Sequence, residues 1–268
     1  MIIFGSRMYG KRDVLKGWGR CDECGHNGQL SNYNARKWGH IYYIPLIPSG
    51  PHVRVVKECP KCNRGFHIPE ADVEETVLEM RRAADAAIEA LAAGASQFNR
   101  DGSPEPEDCL GAIVGPVELL LCLGGREHAE HITRRLEEKQ RGYEQQLVTA
   151  AVCEFDGDPR AAAGAYETAA RLEDRDRTPL LLAGEMWFAG GELDRALEAY
   201  RRASTLDPHD LDALQGMIDV YTAQDDHWQV SEIYERAFSV VPALRNEKKV
   251  MKAYKKSCKK ARRQAQVA

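Results

Sequence analysis

Four cysteines in two matched pairs carry the plainest chemistry in this chain: Cys21 and Cys24 within CDECGHNGQL, and Cys59 and Cys62 within ECPKCNRGFH. Two residues between thiols is the spacing of a turn that points both sulfurs at one ion, and four soft thiolates in a tetrahedron suit zinc. The pairs are separated by 34 residues, where a zinc ribbon typically leaves about 15–20, so the site must close a longer excursion. His26, His40, His52 and His67 lie close by in sequence. Four thiolates already fill a tetrahedral shell and leave no position for water or substrate. The histidines are therefore expected to be surface or strand-packing residues, and the metal, one Zn2+, to be structural. A rubredoxin-like iron centre of an electron carrier is the competing use of two such knuckles, and Gly25 after the first pair fits it. The net charge of +6 over residues 1–70 and Asn63 after the second pair fit it less well. Redox use of one pair lacks the βαβ context that thioredoxin-like chemistry needs.

Nothing else in the sequence has catalytic spacing: there is no Walker loop, no H-E-x-x-H and no nucleophile elbow. The chain is expected not to be an enzyme. Cys153 and Cys258 stand at packing positions and are expected to be inert thiols. His128 and His131 are three residues apart on a charged stretch, with no further ligand assignable by spacing, and are expected on a solvated face.

The elements that must position the cysteines are strands. MIIFG opens the chain with one; HIYYIPLIPSG, ending in Pro-Ser-Gly-Pro, and HVRVVKEC are expected to form a hairpin that leads into the second metal turn. A sheet this small buries too little apolar surface to stand alone, so metal binding would supply folding free energy. The order IIFGSR, CDECG, KWGHIYYIPLIPSG, CPKCNRGF resembles a family of small, mostly uncharacterised zinc-ribbon proteins with an apolar-Phe-Gly start and an Ile-Pro-Leu-Ile-Pro segment between knuckles. The resemblance covers residues 1–70, implies zinc on Cys21, Cys24, Cys59 and Cys62, and brings no established activity with it.

Residues 71–142 read as a helical connector: an amphipathic helix from Glu70 to Gly94, with Val77, Met80, Ala84, Ala87, Ile88 and Leu91 on one side, then a loop near residues 95–108. The apolar run LGAIVGPVELLLCLGG follows, broken by Pro116 and Glu118 and shorter than the roughly 20 residues a membrane helix needs, so a buried helix and no membrane insertion are expected. A charged helix over Arg126–Arg141 completes the segment.

Beyond it a period emerges. Tyr166, Tyr200 and Tyr234 are each 34 residues apart, and so are Ala169, Ala203 and Ala237. That period is the signature of the tetratricopeptide (TPR) repeat. Residues 177–210 resemble its consensus closely, with Leu180, Gly184, Trp187, Ala196, Tyr200, Ala203 and Pro208, and three repeats are expected over residues 143–244. The fold class is thus multi-domain, a small β zinc ribbon followed by an all-α solenoid of helical hairpins. Residues 245–268 add a basic capping helix whose Val250, Tyr254, Cys258 and Ala261 would cover the last repeat.

Repeat arrays work through their grooves, so the expected function is a protein-interaction adaptor holding a peptide or protein segment. The fifth and ninth repeat positions are Leu147 and Ala151, Leu181 and Glu185, then Gln215 and Asp219. This is not the Lys/Asn clamp that similar TPR domains use for acidic C-termini, so a basic or apolar segment is expected. Charge is segregated: residues 71–244 carry a net −19 and residues 245–263 a net +9, within a total of −4. Lys248, Lys249, Lys252, Lys255, Lys256, Lys259, Lys260, Arg262 and Arg263 are accordingly candidates for a basic patch. They offer, with the basic ribbon, an alternative function as a nucleic-acid or ribosome-associated factor, or they dock on the acidic body. No secretory signal precedes the cysteines, so a reducing, cytoplasmic setting is expected.

Overall fold

The computed structural model describes residues 4–41, 44–93 and 110–262, so the loop expected near residues 95–108 lies outside the described residues. The chain forms two compact units, residues 1–158 and 159–268. The boundary falls between the two helices of the first predicted repeat.

The first unit opens with a four-stranded antiparallel meander in the order β1-β2-β3-β4: β1 Phe4–Arg20, β2 Asn27–Ile41, β3 Ile44–Glu58 and β4 Phe66–Pro69. Its inner residues are Tyr33, Ala35 and Val55, with Met8 and Val53 against them. Glu58 ties two strands to this core: Tyr33 Oη donates to its Oε1 at 2.6 Å, and Lys11 Nζ reaches its Oε2 at 2.9 Å while lying 4.0 Å over the Tyr33 ring. A meander brings the end of β1 and the end of β3 to one edge, as the pairs Arg20↔Asn27 and Ser31↔Glu58 show. Both cysteine turns therefore leave the sheet at the same end.

The hairpin differs from the expected one. HIYYIPLIPSG and HVRVVKEC do not form a hairpin with each other: residues 44–58 are one strand, and this strand, β3, pairs with β2. Pro-Ser-Gly-Pro sits inside β3 as a bulge, because the register steps from Arg36↔His52 to Trp38↔Pro48. Proline has no N–H to give to a ladder, so a bulge accommodates it where a regular strand would not. Arg36 Nε fills the interruption by donating to Gly50 O at 2.9 Å.

Among the described residues, four α-helices follow in this unit: α1 Val73–Ala92, α2 Gly115–Leu123, α3 Arg126–Glu138 and α4 Gly142–Phe155. Ala84, Ala87, Ile88 and Leu91 of α1 are buried, as their spacing predicts. Pro116 stands in the first turn of α2, which runs on directly from a π-helical turn over Leu110–Val114. Val117, Leu120, Leu121 and Cys122 are buried behind it.

The sheet is fastened to these helices by a buried cation. Arg54, 3% exposed, donates to Asp13 O at 2.9 Å, Asn34 Oδ1 at 3.3 Å and, across to the end of α2, Cys122 O at 2.8 Å. A carbonyl in the last turn of a helix has no partner within the helix, and positive charge there is favoured by the dipole. Beside it Lys57 Nζ pairs with Glu118 Oε2 at 2.9 Å. Burial opposes the Lys57 charge, but Glu118 outweighs it and holds the ammonium above its ordinary pKa. On β1, Gly17 lets the Phe155 ring of α4 approach so closely that a Cβ there would lie 2.3 Å from it.

The second unit holds α5 Pro159–Leu172, α6 Thr178–Ala189, α7 Leu193–Leu206, α8 Leu211–Ala223, α9 His227–Val240 and α10 Lys248–Lys260. The small residues of the 34-residue period, Ala169, Ala203 and Ala237, are all buried where paired helices cross. Loop chemistry sets the boundaries. Asp210 caps α8 by accepting from Asp212 N at 2.8 Å and Ala213 N at 3.2 Å, and Asp226 caps α9 by accepting from Gln229 N at 3.1 Å. Arg177, at the start of α6, also binds the Asp210 carboxylate. The antiparallel pair α9 and α10 closes the unit on an aromatic cluster, with Tyr254 edge-on to Phe238 at 5.2 Å and to Tyr234 at 6.1 Å.

Candidate functional site

The two cysteine turns are copies of one another. In the first, Cys21 N donates to His26 O at 2.8 Å and Gly25 N to Cys21 O at 2.9 Å; in the second, Cys59 N donates to Arg64 O at 2.9 Å and Asn63 N to Cys59 O at 2.8 Å. Each turn closes on a residue of positive φ, Gly25 at 65° and Asn63 at 55°, the two residue types that take the left-handed region most readily. Equal turns leaving one edge of the sheet aim their sulfurs at a common point. The four Sγ atoms lie within 4.8 Å of one another, with Cys21–Cys62 and Cys24–Cys59 at 3.7 Å.

Those separations test the fit to a metal. A tetrahedral ion with metal–sulfur bonds of about 2.3 Å has sulfur–sulfur edges of about 3.8 Å, whereas a disulfide requires about 2.05 Å. The described cysteines form no disulfide. Burial resists ionisation of Cys59, but the backbone N–H groups of Cys62 and Lys61 and the neighbouring thiols outweigh it and bring its pKa down to about 7. Lys61 N lies 3.4 Å from Cys59 Sγ, the contact that stabilises a thiolate ligand. Cys21 and Cys59 are buried while Cys24 is exposed, so the cluster sits at the rim of the sheet. The four cysteines could hold one metal ion, with all four ligand positions supplied by the chain.

In the second unit, α6 and α8 lie side by side, and the Tyr200 ring of α7 passes between them. A Cβ on Gly184 would sit 2.7 Å from that ring and one on Gly216 only 2.4 Å. Glu185 and Asp219 each follow the glycines by one and three residues and flank the phenol. Burial first, then these two carboxylates, push the Tyr200 pKa above its ordinary value. Tyr200 is 5% exposed. Gln215 Nε2 donates to Asp219 Oδ1 at 2.9 Å, and burial nevertheless raises the Asp219 pKa. Leu181 packs at the edge of the cluster Ala170, Leu180, Ala203 and Ala213. Of the groove candidates, Leu181, Glu185, Gln215 and Asp219 belong to this unit; Leu147 is fully buried in α4 of the first. Tyr200 was not singled out for this role by sequence, because a consensus tyrosine reads as packing; the signal was its two small partners, Gly184 and Gly216, one repeat apart.

The basic candidates fall on α10. Lys248, Lys249, Lys252, Lys255, Lys256, Lys259, Lys260 and Arg262 are all exposed, while Tyr254, Ser257 and Cys258 are buried on the opposite side. Arg263 lies outside the described residues. Elsewhere, a cleft of about 510 Å³ between α3 and α4 is lined in part by Thr133, Val152 and Cys153. Burial, with Asp158 and Asp156, raises the Cys153 pKa and so favours the protonated thiol. His131 Nε2 lies 3.6 Å from Asp85 Oδ1 of α1, so it packs between helices rather than facing solvent alone.

No family model matches the chain, and no curated protein matches it. Among solved structures it is similar to MamA, at 19% identity over 55% of this chain and 94% of that one, with a TM-score of 0.42. It is also similar to PilF of Pseudomonas aeruginosa, at 19% identity over 69% of this chain and 71% of that one, with a TM-score of 0.44. Among the described residues no helix is long and apolar enough to cross a membrane.

Proposed function

We propose that this chain is a non-enzymatic adaptor in which a zinc-pinned ribbon is built onto a helical repeat array, and in which the α6/α8 face binds an extended segment carrying lysine or arginine. One observation carries the reading: the Tyr200 ring, 5% exposed and seated against Gly184 and Gly216, has the carboxylates of Glu185 and Asp219 near enough to raise the pKa of its phenol. A cation placed there meets two carboxylates and an acceptor hydroxyl in partly desolvated surroundings, where charge-assisted hydrogen bonds are strongest. Asp219, whose ionisation burial already disfavours, gains most from such a partner. Leu181 offers apolar surface beside the acidic pair for the stem of the bound side chain.

Zinc is the metal that four thiolates in a closed tetrahedral shell fit best. Cys21, Cys24, Cys59 and Cys62 would hold it, and bound there it fastens the two turns together without taking part in chemistry. The four ligands position the metal; Arg54 and Lys57 position the sheet that carries them.

The test is fluorescence anisotropy with labelled 12-residue peptides that differ only in bearing lysine, glutamate or glutamine. The lysine peptide should bind, and the double variant Glu185→Lys/Asp219→Lys should reverse the preference toward the glutamate peptide. Equal binding of all three, or a preference untouched by the double variant, would overturn the reading.

A further inference from the structure

The exposed side of α10 is a second interaction surface, independent of the α6/α8 face. Lys248, Lys252, Lys255 and Lys259 follow one another at three- and four-residue steps, which places them in a single row; Arg262 stands just beyond the helix, at a left-handed φ of 55°. Lys249, Lys256 and Lys260 flank that row on one side. The helix spans 13 residues, so the cations occupy a strip about 20 Å long. None of the four lysines in the row has an acidic partner among the described residues; of the α10 cations, Lys260 alone reaches one, Asp225 at 3.5 Å. Repulsion along the row costs stability, and among the described residues no carboxylate pairs with its four lysines to offset it.

The chemistry of the strip selects among partners. An amphipathic helix that enters a membrane needs a free apolar face, and that of α10 is taken: Tyr254 and Cys258 pack on Phe238, and the Tyr254 hydroxyl donates to Glu235 at 2.9 Å. Protein interfaces are depleted in lysine at their centres and rely on buried anchors, but this strip has no large apolar residue within it. Phosphate chains need only a row of point charges at matching intervals. An aromatic is present at the end of the strip as well. Trp228, 50% exposed, follows His227 in the first turn of α9, and the His227 ring lies 2.8 Å from Lys260 Nζ. Exposed indoles beside cationic tracks are stacking platforms for unpaired bases.

We infer that the α10 strip, with Trp228 at its end, binds single-stranded nucleic acid through the phosphate backbone, with little preference for sequence. Four backbone contacts, one for each lysine of the row, predict a slope of about −2.8 in log affinity against log salt, or roughly a fiftyfold loss between 50 and 200 mM.

Fluorescence anisotropy of the full zinc-loaded chain with a labelled 20-nucleotide RNA of mixed sequence tests this. Replacing Lys248, Lys252, Lys255 and Lys259 by Gln keeps the helix-forming propensity and should weaken binding at least thirtyfold and flatten the slope by about 3. Trp228→Ala should weaken it about tenfold with no change of slope. Circular dichroism establishes that both variants fold. Asp219→Lys, which disables the α6/α8 face, should not weaken RNA binding, so failure of one surface is distinguishable from failure of the other. The inference is overturned if the quadruple variant binds RNA as wild type does, if a 20-residue polyglutamate competes as well as RNA, or if phosphatidylserine vesicles bind while RNA does not.

Discussion

Arg54 should be the residue on which attachment of the ribbon to its helices most depends. It is 3% exposed and satisfies three acceptors, Asp13 O, Asn34 Oδ1 and Cys122 O. Arg54→Met retains the length and apolar stem but removes all three bonds, of which the one to Cys122 O is buried. A buried acceptor left without a donor costs about 1–3 kcal/mol. The loss is partly offset, because the Arg54 Nε has no partner in the native state and burial pulls the guanidinium pKa below its ordinary value, so the cation itself is held at some expense. A net loss of about 3 kcal/mol results, which is roughly a 150-fold acceleration of amide exchange in the protected sheet. Hydrogen exchange read by mass spectrometry on peptides from β1 to β3 measures it without requiring two-state unfolding of the chain. The expected pattern is faster exchange in the sheet and in α2, with peptides from α6 to α9 unchanged. Acceleration below threefold, or equal acceleration throughout the chain, would refute the reasoning. Arg54→Lys, which keeps the charge but cannot span three acceptors, should fall between.

Removing the metal should be more severe, because structural zinc contributes about 10–16 kcal/mol to small metal-dependent folds, comparable with the whole stability of a domain. Cys59→Ser or chelation should therefore abolish exchange protection in β1–β4, and elemental analysis of the native chain should find one zinc; a stoichiometric iron content with a red colour would instead identify an electron carrier. Gly216→Ala should lower the melting temperature despite the better helix propensity of alanine, worth about 1 kcal/mol, because the new Cβ meets the Tyr200 ring at 2.4 Å and overpacking costs about 1–3 kcal/mol. Asp219 has a raised pKa, so the folded chain takes up its proton more readily than the unfolded one. Its charge costs stability above the folded pKa, and the cost disappears as pH falls through it. Affinity for a lysine peptide should accordingly drop on acidification at a pH above the ordinary value for an aspartate, and Asp219→Asn should remove that step from a titration of binding against pH.

The repeat was legible because its signal is periodic: Tyr200 and Ala203 have counterparts 34 residues to either side, and the turn residues at Asp207–Asp210 cap the next helix as their types predict. The metal cluster was legible because two residues between cysteines is a local turn, and the structure adds that the meander brings both turns to one edge. What was not legible depended on long-range partners. Pro-Ser-Gly-Pro looks like the end of a strand until β2 supplies the register that makes it a bulge. Arg54 looks like one more cation of a basic ribbon, and only the end of α2, 68 residues on, turns it into a buried fastening. The Tyr200 hydroxyl acquires meaning in the same way, from helices belonging to two different repeats.

The most direct test of the adaptor account is the hydrogen-exchange footprint of a bound lysine peptide on the intact zinc-loaded chain. The account predicts slower exchange in peptides spanning α6 and α8, centred on Glu185 and Asp219, lost in Glu185→Lys/Asp219→Lys. Protection confined to the ribbon or to α10, with α6 and α8 unchanged, would contradict it.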